Sequence, residues 1–169
     1  MAQVRGDGVA VYVYRRTEAS LASGLEFLQI HRSVSTGEYQ QSWQVVYGGI
    51  EAGETALQAA LREMHEEIGI TPVWISSMFQ VEYVETFYFR PHDYILMMPV
   101  WAVELEPNAP ITLNHEHDGY RWVKAAGVQR DFMWRTQREA LRVIINEIYK
   151  PGPARHFLDV DMATLRGGL

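Results

Sequence analysis

Apolar positions crowd first into residues 9–14, a β-branched and aromatic run that predicts a buried strand ended by Arg15 and Arg16. Residues 25–31 predict a second strand and residues 43–47 a short third. A turn over residues 17–24 and a polar loop over residues 32–41, containing Gly37, separate them. The period then changes. Leu57, Ala60, Leu61, Met64 and Ile68 recur at helical spacing as one apolar stripe. Thr55, three residues before Gln58, has the spacing of a capping box, so the helix is expected to open there. Gly69 followed by Ile70 reads as a left-handed cap, and Thr71-Pro72 forbids continuation.

Strand-like segments resume at residues 73–80 and 81–89, and Arg90-Pro91-His92-Asp93 predicts a hairpin turn into residues 94–105. Pro99 inside that last run predicts an edge position or a bulge. Residues 106–118 read as a loop and residues 120–123 as a short strand. Ala140, Leu141, Ile144, Ile145 and Ile148 mark a second helix over residues 133–149, stopped by Pro151-Gly152-Pro153. Strands, helix, strands, helix in that order predict an α/β (or α+β) mixed sheet with helices on it.

At 169 residues the chain is expected to form one domain, over residues 1–150, large enough for a real core. Three fates are open to the tail, residues 151–169: packing on the domain, joining a partner subunit in a homodimer, or staying loose. A net charge of −6 argues against extended binding to a nucleic-acid backbone, which needs a basic footprint. It does not argue against a single nucleotide, because bound cations supply positive charge locally. With no cysteine there is no disulfide framework and no zinc–thiolate site. No secretory signal and no run of membrane-spanning length are read in the sequence, so the expectation is a cytoplasmic protein without a membrane partner.

The charges on the first helix change the picture. Glu63, Glu66 and Glu67 fall at i, i+3 and i+4, beside the apolar stripe and near the C-terminal end, where the helix dipole disfavours anions. A divalent cation would reverse the sign of those terms; without further signal, a solvated acidic face explains them as well. The further signal is the spacing from Gly48 to Ile70. It runs Gly48, five residues, Glu54, seven residues, Arg62-Glu63, Met64, one residue, Glu66-Glu67, one residue, Gly69, Ile70. Drawn at average usage, such a match arises by chance at roughly 10⁻⁹ per starting point. Gly48, Gly49 and Gly53 supply a loop in which backbone must turn sharply or approach a ligand closely.

This stretch resembles the Nudix box at every defined position, and the chain is identified on it as similar to the Nudix hydrolases. The resemblance implies an α/β/α sandwich around a mixed sheet, with the box helix on one face. It implies Mg²⁺, with Mn²⁺ as a substitute, held by oxygen ligands. In Nudix enzymes the two glutamates matching Glu66 and Glu67 ligate metal, and the one matching Glu63 ligates metal or helps to activate water. The backbone carbonyl at Gly48 often joins them. Arg62 has two readings, a phosphate contact or an ion pair that holds the glycine loop against the helix. The ~3.6-residue helical turn, which points it away from Glu63 and Glu67, favours the ion pair. Glu51 and Glu54 read as loop groups rather than ligands, and Gly53 and Gly69 as structural parts of the box.

Many Nudix enzymes add one acid from outside the box, and Glu116, within Asn114-His115-Glu116-His117-Asp118, is the candidate ligand or base. Its plain alternative is a solvated loop acid, and His115 and His117 read as surface histidines. Glu116-His117 with Tyr120-Arg121-Trp122, and Trp43-Gln44 upstream of the box, resemble a subgroup, the dihydroneopterin triphosphate and dATP pyrophosphohydrolases. That likeness implies a small-molecule phosphoanhydride substrate. For substrate contacts, Arg32 and Arg15 are the expected phosphate-binding arginines, and Trp43 an aromatic on which a heterocycle could stack.

Overall fold

A computed structural model describes residues 2–17, 24–34 and 39–167. The eight strands are β1 (Gln3–Arg5), β2 (Gly8–Arg16), β3 (Leu25–Arg32), β4 (Trp43–Gln44), β5 (Val46–Gly49), β6 (Ile75–Phe89), β7 (Tyr94–Leu105) and β8 (His117–Lys124). The box helix is α1 (Ala56–Ile68). Beyond β8 come a single turn, α2 (Val128–Asp131), and then α3 (Arg135–Val143), which runs on into a wider π turn over Ile144–Tyr149. The turn expected over residues 17–24 falls mostly at 18–23, outside the described residues, as does Gly37. Its closure is described: the Thr17 amide donates to the Gly24 carbonyl at 2.7 Å.

All eight strands join one mixed sheet. β2 runs parallel to β7 from Ala10 opposite Val100 to Tyr14 opposite Glu104. It is antiparallel to β5 at its start, where Gly8 meets Gly49, and to β3 at its end, where Tyr14 meets Phe27. Alternation along β2 divides the core. Val9, Val11 and Val13 pack with Ala60, Leu61, Met64 and Ile68 of α1. Ala10, Tyr12 and Tyr14 pack on the other side with Ala140, Leu141, Ile144 and Ile148. The sheet is therefore sandwiched between helices, as the resemblance to the Nudix hydrolases implies.

Several elements differ from expectation. Residues 75–89 form one strand rather than two, and Val73 lies in a short 3-10 turn instead. Pro99 is not on an edge: β7 is paired with β6 on one side and with β1 and β2 on the other. The bulge alternative holds, because the β6 register shifts between Val81 and Val84, and Val84 faces Pro99. β8 begins at His117, earlier than residue 120, because Arg32 of β3 is long enough to pair with it. The tail lies on the domain. The Val160 amide donates to the Met78 carbonyl at 2.9 Å, Arg155 covers the Phe79 ring, and Leu165 is buried in the α1-side core.

Candidate active site

β5 delivers Gly48 and Gly49 alongside Val9 and Gly8, and the Ile50 amide then closes on the Asp7 carbonyl at 2.8 Å. Gly53 turns at φ +86°, in the left-handed region that glycine adopts without strain. α1 opens on Thr55, whose hydroxyl accepts from the Gln58 amide while the Gln58 side chain accepts from the Thr55 amide. It ends on Gly69 at φ +70°, whose amide donates to the His65 carbonyl at 3.0 Å. Both ends of the box helix are thus fixed by the chain's own capping groups.

The three box carboxylates are not equivalent. Glu67 is 6% exposed, and its Oε2 is buried with no hydrogen-bond partner. Burial, followed by the charges of Glu63 and Glu116, pushes its pKa up to about 9; Arg32 and the Tyr47 amide oppose the shift. Glu63 is half-buried, and burial raises it as well, against the pull of Arg62. Glu63 packs so tightly on Gly48 that a Cβ there would lie 2.0 Å from its Cδ. Glu66 instead points outward, with about half its side chain exposed.

Arg62 is the hub of the loop. Its Nε donates to Glu54 at 2.9 Å and its Nη2 to the Gly49 carbonyl at 2.6 Å, while Glu54 accepts from the Glu51 amide at 3.0 Å. The helical turn alone points Arg62 away from Glu63 and Glu67, but the side chain does not follow it. Its long side chain curls back, so that Nη1 donates to Glu63 at 2.8 Å and to Glu66 at 3.2 Å. Among the described residues no three acidic or imidazole side chains form a ready-made cation cage. The donors nonetheless suit a hard cation: carboxylate oxygens, one of them buried and unpaired, destabilised by neighbouring negative charge.

Arg32 and Glu116 face this group from the loop side. Arg32 Nη1 lies 3.8 Å from Glu116 Oε2, the Ser33 amide donates to the Glu116 carbonyl, and Asn114 Oδ1 accepts from the Glu116 amide. His117 is buried rather than superficial. Burial, then Arg32, pushes its pKa down, and it bonds Asn114 Oδ1 at 3.0 Å. Beyond Gly48 and Arg32 opens a cleft of about 390 Å³ with aromatic walls, Phe87, Phe89, Trp134 and Tyr39 among them. Tyr39 stands edge-on to Trp134 and Phe87.

A family profile for the NUDIX domain matches residues 4–144. The chain belongs to the Nudix family. An RNA pyrophosphohydrolase of Haemophilus ducreyi is 26% identical over 142 residues, 71% of this chain and 72% of that one. The chain spans only 22% of another relative, an octanoyltransferase of Myxococcus xanthus, 33% identical over 81 residues, 48% of this chain. Among solved structures, an Ap4A hydrolase of C. elegans superposes with a TM-score of 0.68 at 21% identity, over 84% of this chain and 96% of that one. The dihydroneopterin triphosphate pyrophosphohydrolase of E. coli superposes at 0.61 and 24%, over 82% and 95%.

Two residues expected at the Nudix site are not brought to it. Arg15 lies six residues along β2 from Val9, the partner of Gly48, a separation of roughly 20 Å in a strand. There it pairs with Glu26 at 2.8 Å and covers the Trp122 ring. Trp43 packs beside His31 and under Arg121 and does not line the cleft; its neighbour Gln44 does. Successive strand side chains point to opposite faces, so the Trp-Gln pair could offer only one member. Sequence reasoning missed Glu85. An acid among the aromatics of β6 reads as the polar half of an alternating strand, yet it is 2% exposed and lines the cleft.

Proposed function

We propose that this Nudix enzyme is a magnesium-dependent pyrophosphohydrolase. Its substrate is a nucleoside triphosphate-like compound of the dATP or dihydroneopterin triphosphate class, and its products are the monophosphate and pyrophosphate. The observation that carries the reading is the continuity of two sites across Gly48. On one side stand Glu67, with its unpaired buried oxygen, and Glu63; on the other lies the aromatic cleft.

Glu63, Glu67, the Gly48 carbonyl and Glu116 would hold Mg²⁺ (or Mn²⁺ in its place), with Glu66 at the exposed rim. The bound cation supplies charge compensation on phosphate oxygens and a water that is nucleophilic at neutral pH. Arg32, at the cleft mouth, binds phosphate. Arg62, Glu54, Gly53 and Gly69 keep the loop and helix in register, so that the carboxylates sit on a rigid support. Glu63 or Glu116 would take a proton from the attacking water.

The likeness in fold to an Ap4A hydrolase favours one rival, a hydrolase of dinucleoside polyphosphates or nucleotide sugars. A nucleotide sensor without turnover is the third reading. Purified protein with magnesium and a panel of nucleotides separates them. Pyrophosphate release supports the proposal, two phosphorylated organic fragments support the rival, and binding without turnover supports the sensor.

A further inference from the structure

The cleft floor carries a polar network that phosphoanhydride hydrolysis does not require. Glu85 sits there with the Tyr12 hydroxyl donating to Oε1 and the Tyr47 hydroxyl donating to Oε2 at 3.1 Å. The Thr136 hydroxyl also bonds it, and Gln137 Nε2 donates to the Tyr47 oxygen at 3.2 Å. A carboxylate offers about four acceptor positions, so three protein donors leave one. Burial raises the Glu85 pKa and opposes its charge, while the three hydroxyls favour the ionised form. Such a group is costly to bury, and no box residue touches it.

The walls and the remaining polar atoms restrict what would fit. Phe87, Phe89 and Trp134 give flat apolar surfaces. Gln44, also on the lining, spends its amide nitrogen on Ser42 Oγ at 2.7 Å, which leaves its carbonyl oxygen for a ligand. The floor therefore presents acceptors to a flat ring. The 2-amino-4-oxopyrimidine ring shared by guanine and pterins carries an N–H and an NH₂ side by side. Adenine carries one NH₂ beside an acceptor nitrogen, and hypoxanthine lacks the NH₂.

We propose that Glu85 reads the substrate's heterocycle: its one remaining acceptor position takes the ring N–H of a guanine- or pterin-type ring lying against the cleft aromatics, and the Gln44 carbonyl oxygen takes the adjacent NH₂. The phosphates then lie toward Gly48 and Arg32. Tyr47 joins the two halves, because its amide faces Glu67 and its hydroxyl bonds Glu85. This specificity role rests on the hydrolase reading above and narrows its substrate class.

The test compares kcat/KM for dGTP, dihydroneopterin triphosphate, dITP and dATP in wild type and in Glu85→Gln. Wild type is expected to favour dGTP or the pterin over dITP and dATP by at least about tenfold, and the better of the two names the source. Glu85→Gln turns an amide donor toward the ring's donor edge. It should cut kcat/KM for that substrate about 10–100-fold more than for dATP. A wild type that prefers dATP, or a variant equally impaired on every base, overturns the proposal. If no triphosphate is turned over, the hydrolase reading fails by itself. Calorimetric binding of GMP, neopterin monophosphate and AMP to wild type then decides the pocket, and also does so if the variant does not fold. Tenfold tighter GMP or neopterin binding supports Glu85 as the reader; equal or reversed affinities contradict it.

Discussion

A Cβ built on Gly48 would lie 2.0 Å from Glu63 Cγ, so the glycine and the glutamate compete for one space. Gly48→Ala must push Glu63 aside or shift β5. A displacement near 1 Å in a catalytic group can cost about 100-fold, and overpacking costs about 1–3 kcal/mol. The variant should therefore fold with a lower urea midpoint and lose at least about 100-fold in kcat. Wild-type kcat in Gly48→Ala would show that the contact is dispensable.

Glu67 carries the clearest pH signature. Its folded pKa, about 9, exceeds that of an unfolded glutamate, so the folded state holds the proton longer. Its stabilising contribution is fully present below the unfolded pKa, near 4.5, and is lost as pH rises through about 9. Without divalent cations the melting temperature should fall across that window, and Glu67→Gln should flatten the fall. The same substitution should lower turnover at least about 100-fold with the fold intact, since a ligand charge goes but little packing. An equally steep slope in the variant would assign the pH dependence elsewhere.

The box was legible because its signals are local. Thr55 with Gln58, the stripe from Leu57 to Ile68, and Gly69 each act within a few residues, and each lies where the spacing puts it. Long-range relationships were not legible. Glu85 and Tyr12 stand 73 positions apart, and only the β2–β7–β6 order brings them together. Trp43 and Gln44 could not be told apart until pairing with β3 fixed which of them turns toward the cleft. The helical period fixes only the direction in which Arg62 leaves its Cα, whereas its reach depends on a flexible side chain. The tail lacks a strong period of its own and is held by contacts made elsewhere, at Met78 and Phe79.

Arg62 binds Glu54 through two nitrogens, at 2.9 and 3.0 Å, as a planar fork. Lysine keeps the charge but not the fork. Arg62→Lys should lower stability by about 1–3 kcal/mol in urea melts and reduce kcat by disordering the loop, with KM little changed. A variant as stable and active as wild type would show that charge alone holds the loop.

The two arginines first considered for phosphate should separate cleanly. Arg32 lines the cleft, whereas Arg15 is engaged with Glu26 and Trp122 at the far end of β2. Arg32→Gln should raise KM about tenfold or more, and Arg15→Gln should leave kcat and KM within about twofold. The reverse result would place the phosphates elsewhere.

In the proposed mechanism Glu63 and Glu67 take a divalent cation beside the phosphates of a substrate in the adjoining cleft. A crystal structure with magnesium and a non-hydrolysable nucleoside triphosphate would decide this. The expected result is an ion about 2.0–2.1 Å from oxygens of Glu63 and Glu67, with the ring against the cleft aromatics. Phosphates bound away from α1, with Glu63 still on Arg62 and no ion at Glu67, would contradict it.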